Sequence, residues 1–176
     1  LLMLAPARQE ELLPTLIEAL DDGDRSARFA AAYVFWTNAA MARKAIDPLV
    51  TALGDDDDDV QQTAAAALCR VGAPALEAVA RASRSDDPRT TIGAMHVLGG
   101  LGAAAVPELT DALSNGAVHR RVAAAQACGK IGRLAITPLR IALQDPEFAV
   151  RHAAQQALRY IGSAEALGLL EPVGNR

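Results

Sequence analysis

The chain has 176 residues, of which 51% are hydrophobic, 3% aromatic and 22% charged, figures that suit one ordered domain or a short repeat array and exclude a disordered chain. Its 17 basic and 21 acidic side chains leave a formal charge of -4, which argues against a basic nucleic-acid-binding surface. Six aromatic residues cannot build an aromatic-rich interior, so the core has to be Ala, Leu, Val and Ile at close approach, and that favours helices.

The opening LLMLAPA has no basic region before it, and no stretch of 18 apolar residues follows, so no membrane span is expected. From Leu12 the segment LLPTLIEAL reads as a first helix, and AIDPLVTAL, ALEAVARAS, AVPELTDAL and AITPLRIAL begin equivalent helices at Ala45, Ala75, Ala105 and Ala135. The first offset is 33 residues, the surplus falling in NAAMARK between Asn38 and Lys44; the later ones are 30. Between them lie second helices ending in CRVG, GGLG, GKIG and RYIG, at Gly72, Gly102, Gly132 and Gly162.

Apolar residues of the second helices recur at i, i+4, i+7, i+8 and i+11, as in Val60, Ala64, Ala67, Leu68 and Val71, or Val150, Ala154, Ala157, Leu158 and Ile161. That is one helical stripe. Its i+4 position is Ala31, Ala64, Ala94, Ala124 and Ala154, which predicts a site where only a methyl group fits between packed helices. Asp47-Pro48 and Thr137-Pro138 are expected to cap first helices, and Asp87-Pro88 and Asp145-Pro146 second helices. The periodic glycines are expected to end the second helices at positive φ. One copy alone buries too little to fold, so neighbours must stack.

The pattern P-L-x-x-A-L, acidic turn, V-R-x-x-A-A-x-A-L-x-x-I-G resembles the short HEAT-like repeats first associated with phycobiliprotein (bilin) lyases. It covers about residues 12 to 171, fits best at Asp145 to Gly162, and departs most in the third copy, at Ser83, Thr90 and Thr91. The resemblance implies an all-α fold, an alpha-alpha superhelix of about five two-helix repeats, with second helices lining a concave face used for partners. Residues 1–176 are then a single array, with repeats at about 12–44, 45–74, 75–104, 105–134 and 135–164 and a terminal half repeat at 165–176. LLMLA matches the last turn of a second helix, so the ends read either as cuts from a longer array or as irregular caps. TPLRIAL at Thr137 is also similar to an ankyrin signature, but the other copies lack it and the ankyrin period is about 33.

No catalytic, metal or cofactor site is legible. Deoxyhypusine hydroxylases, which this repeat type resembles, bind iron through His-Glu pairs, whereas His96, His119 and His152 precede Val97, Arg120 and Ala153. Cys69 and Cys128 form no disulfide framework, and a reducing, cytoplasmic compartment follows as the default. Twelve of the 21 acids lie in turns within copies, where they cap helices or attract a cation; Asp55 to Asp59 lacks EF-hand spacing. Arg28, Arg121 and Arg151 share one repeat column and suit a ladder to neighbouring acidic turns.

The stripe opposite the packing face holds Phe29, Tyr33, Trp36, His96, Gln126, His152, Gln156 and Arg159, with Lys130 and Tyr160 at its shoulder. Tyr, Trp and Arg typically anchor interfaces. The expected function is a non-catalytic scaffold binding a protein or peptide partner there, with no nucleic acid, no membrane and no cofactor; the sequence leaves the oligomeric state open. Packing of the rings on LLMLAPA or a preceding repeat is the structural alternative. The resemblance also implies, as alternatives, a bilin lyase or phycobiliprotein chaperone, or a structural module of a larger polypeptide. The 15 Arg to 2 Lys and the abundance of Ala suit a bacterial source.

Overall fold

A computed structural model describes residues 6–171 as an all-helical repeat protein with no strand among them. The helices are α1 (Pro6–Ala19), α2 (Arg25–Thr37), α3 (Ala39–Lys44), α4 (Ile46–Thr51), α5 (Asp58–Val71), α6 (Leu76–Ala82), α7 (Pro88–Leu101), α8 (Val106–Asn115), α9 (Val118–Ile131), α10 (Ile136–Ala142), α11 (Phe148–Ile161) and α12 (Ala164–Gly168). They form two compact units, one running to Val97 and the other starting at Leu98, so the boundary falls inside α7. The opening LLMLA and the last five residues lie outside the described residues.

In the first unit α2 packs along α5, and in the second α9 packs along α11. The expected methyl column is closed to solvent on these helices, Ala31 at 1% and Ala64, Ala124 and Ala154 at 0% exposure, and Ala94 of α7 is likewise 0% exposed. Two glycines bring the backbones closer still. A Cβ on Gly129 would sit 3.2 Å from Ala157 Cα, and one on Gly99 would sit 3.1 Å from the Ala127 carbonyl oxygen. Bulk is confined to residues such as Leu49, Leu68, Leu109, Leu139 and Leu158, all fully buried. The surplus before the second copy is α3, capped by the Asn38 side chain, which accepts from the Met41 N–H; Met41 and Ala42 are buried.

The glycines at 72, 102, 132 and 162 have φ of 74, 70, 82 and 65°. Gly162 is left-handed α, but Gly72 and Gly132 pair positive φ with ψ of -142 and -141°, a region essentially reserved for glycine. After the first three of these glycines a 3-10 turn leads into the next first helix.

The caps divide. Asp24, Asp57 and Asp87 accept from backbone N–H groups at the starts of α2, α5 and α7, as the sequence led one to expect for Asp87. Asp47 and Thr137 are no caps: α4 and α10 begin on Ala45 and Ala135 without a side-chain bond. Those alanines are 0% exposed, leaving no space for a capping side chain. At α10 the preceding 3-10 turn satisfies the Ile136 N–H. Asp145 stands before α11 rather than on its cap, Glu147, and accepts from the Glu147 N–H at 2.8 Å.

Asp145 is engaged by the Arg121 fork at 2.7 and 3.0 Å, and Asp55 by the Arg28 fork at 2.8 and 3.0 Å. Both carboxylates are 7% exposed. The expected ladder is therefore present at Arg28 and Arg121, while Arg151 instead donates to the Asp145 and Pro146 carbonyls. Within each copy this column closes its own turn: Arg28, Gln61, Thr91, Arg121 and Arg151 donate to the carbonyls of Asp22, Leu53, Ser85, Gly116 and Asp145. The divergent third copy is thereby self-consistent, since buried Ser83 and Thr91 both donate to nearby carbonyls.

Pro88–Asn115 contains an 18-residue stretch of mean hydropathy 1.3 and is long and apolar enough to cross a membrane by length and composition alone; 44% of that stretch is buried within the protein, and Gly102 interrupts the segment at positive φ.

Three outcomes follow. Ala124→Leu overpacks a closed contact by about 1–3 kcal/mol and lowers the melting temperature by several degrees in a circular-dichroism melt; an unchanged melt contradicts the close contact. Gly132→Ala meets no atom within 4 Å, so its loss of about 1–3 kcal/mol in urea titration is backbone strain alone. Burial pushes the Asp145 carboxyl up, but its bonds to Arg121 and the Glu147 N–H outweigh this and hold it below the ordinary carboxylate range. A depressed carboxylate stabilises above its unfolded pKa and loses that contribution as pH falls through its folded value. Asp145→Asn should therefore lower the urea midpoint at neutral pH and flatten its decline below about pH 5.

Candidate functional site

The packing stripe and the outer stripe of a second helix are set by the same 3.6-residue period, so each residue four or seven places from an exposed one shares its face. The outer stripes line one cleft in each unit; other clefts lie away from them, at the turns around Arg28 and Asp55 and between α10 and α12.

In the first unit Phe29, Tyr33 and Trp36 form a row along α2, with ring centroids 6.3 and 5.3 Å apart. Phe29 is 39% and Tyr33 47% exposed, Trp36 is half-buried, and Phe35 points inward at 0%. Across from the row, Gln62, Thr63 and Ala66 of α5 complete a cleft of about 250 Å³. The rings thus present themselves on an outer face rather than filling the core. Any packing on LLMLAPA concerns residues outside those described.

In the second unit Gln126, Gly129 and Lys130 of α9 face Ala153, Gln156, Ala157 and Tyr160 of α11 around a cleft of about 380 Å³. The floor is small and apolar; Gly129, Ala153 and Ala157 are buried. Gln126, Lys130, Gln156 and Tyr160 are exposed, Tyr160 at 79%. Gln156 lies 2.9 Å from His152, whose ring stacks on Phe148 at a centroid distance of 5.7 Å.

Seven of the ten expected residues line one cleft or the other. His96, His152 and Arg159 are exposed but line neither. The sequence reading missed Gln62, Thr63 and Ala66, although the repeat register carries a signal: Gln62 follows Phe29, and Ala66 follows Tyr33, by the same 33-residue offset. It also missed Phe148, 70% exposed beneath the Arg151 guanidinium 5.9 Å from its ring centre. No group of three or more His, Cys, Asp or Glu side chains among the described residues is placed to hold a metal. Burial pushes the Cys128 thiol up to about 12, so it is not a nucleophile at neutral pH. The Cys69 Sγ lies 3.8 Å from the Val97 carbonyl.

The family profile described as HEAT repeats matches residues 46–127. Over that stretch, just under half of its length, the chain is similar to HEAT repeats. Among solved structures, the chain is similar to the complex of CpcE and CpcF of phycocyanin lyase from Nostoc sp. PCC7120, at 24% identity and a TM-score of 0.56, over 90% of this chain and 68% of that one. It is also similar to a chain in the structure of Kap95p binding to RanGDP, at 15% identity and a TM-score of 0.63, over 90% of this chain and 26% of that one. At these identities the likeness is one of fold. No curated protein matches the sequence.

Proposed function

We propose that this HEAT-like chain is a non-catalytic scaffold that binds a protein or peptide partner on the outer faces of its second helices. The observation that carries the proposal is the division of labour along those helices. The packing stripe is closed by alanine, whereas the neighbouring stripe bears Tyr33, Trp36, Gln126, Gln156 and Tyr160 around two clefts. Tyr33, Gln126, Gln156 and Tyr160 are exposed and Trp36 is half-buried, and amphipathic rings and amides are the groups that anchor interfaces. The CpcE and CpcF structure is itself a complex of two proteins, which agrees with a partner-binding role for the fold. A cytoplasmic setting, with both thiols reduced, belongs to the same proposal.

Retention of one specific protein from a lysate of the source organism by the immobilised chain is expected. Gln126→Ala, Gln156→Ala and Arg159→Ala together, or Tyr33→Ala with Trp36→Ala, should abolish that retention while leaving helicity unchanged by circular dichroism. Undiminished retention by both variants refutes the outer faces as the site, and a bilin absorbance shift on mixing would favour chromophore handling instead.

A further inference from the structure

We propose that the cleft between α9 and α11 takes an extended peptide segment alternating aliphatic and acidic side chains. This rests on the partner-binding reading and adds the chemistry of the partner. The first ground is charge. Neither α9 nor α11 contains an Asp or Glu, while Lys130 lines the cleft and Arg159 is exposed three residues beyond Gln156. The asymmetry extends to the whole unit: residues 98–176 hold eight basic and six acidic side chains, against nine and fifteen in residues 1–97. An acidic segment is therefore drawn to the second unit and repelled by the first.

The second ground is the shape and chemistry of the walls. The floor made by Gly129, Ala153 and Ala157 offers room for an aliphatic side chain but no polar partner. Gln126 and Gln156 line it from opposite helices, and an amide both donates and accepts, which matches the backbone N–H and C=O groups of an extended chain; the Gln156 Nε2 also lies 2.9 Å from His152 and keeps a second N–H and its oxygen for such a chain. In such a chain successive side chains point to opposite sides, so a residue seated on the floor places its neighbours at the rim. The rim is where Lys130 and the 79% exposed Tyr160 stand, both able to donate to a carboxylate.

The test is a titration of the full chain, followed by backbone-amide NMR, with an acetylated and amidated hexapeptide of alternating leucine and glutamate. The counterpart peptide has lysine in place of glutamate. Shifts confined to α9 and α11 are expected with the glutamate peptide. Its affinity should fall about tenfold in the exposed double variant Lys130→Glu, Arg159→Glu, and the lysine peptide should bind at least tenfold more weakly to the unaltered chain. Equal binding of the two peptides, or an affinity untouched by charge reversal, overturns the acidic preference. If shifts then still map to the cleft and vanish in Gln126→Ala, Gln156→Ala, partner binding survives while its proposed chemistry does not. Shifts in neither helix with either peptide overturn the cleft as a peptide site. Cleft signals that move on diluting the protein alone identify a second copy as the occupant and also overturn the proposal.

Discussion

The spacing between neighbouring second helices is set by a methyl group, and most other features depend on that constraint. With Ala31, Ala64, Ala94, Ala124 and Ala154 closed to solvent, the helix pairs α2 with α5 and α9 with α11 approach closely enough for backbone and Cβ atoms to carry much of the dispersion contact. Gly129 tightens the α9–α11 contact, and Gly99 the approach of α7 to α9, to a distance that an added Cβ would violate. A chain with six aromatic residues can build a dense interior this way, and all of them but Phe35 are then available for an outer face.

Close helices need turns held to matching precision. One column supplies this, as Arg28, Gln61, Thr91, Arg121 and Arg151 each donate to a carbonyl of the turn before their own helix. Three residue types achieve the same closure, so what the position requires is a donor of suitable reach rather than a charge. Where the donor is Arg28 or Arg121 its remaining N–H groups extend to Asp55 or Asp145 in the next turn. The acidic edge is thereby largely occupied in holding the fold: Arg25 pairs with Asp57 and Asp59, and Arg89 with Asp58.

The repeat made much of this legible. Position-by-position recurrence identified the helices, the methyl column and the arginine column, because a stacked array imposes the same steric demand at the same register. Caps were read less well, since Asp47-Pro48 and Thr137-Pro138 look like helix starts locally, whereas burial of Ala45 and Ala135 moves each start two residues earlier. The aromatic wall of the first cleft and the rim of the second were visible as polar or aromatic departures from the stripe, whereas Gln62 and Thr63, polar residues on the facing helix, were not. Nor were the cleft floors, because Ala153 and Ala157 have the composition of core residues and nothing in sequence separates a buried alanine under protein from one under a cleft. Phe148 escaped for the opposite reason, an aromatic residue whose exposure depends on its place at the first turn of α11.

The packing column and the cleft rims hold different side chains, although Gly129 and Ala157 serve both the helix contact and the cleft floor, and this separates two kinds of evolutionary change. Substitution at Tyr33, Gln126 or Gln156 alters what the surface presents while leaving every methyl contact in place, so recognition is free to drift without loss of folding stability. The alanine column has the reverse character: almost any change there is felt through two helices at once. A protein built on such columns can acquire new partners by point mutation at the face while its framework stays fixed.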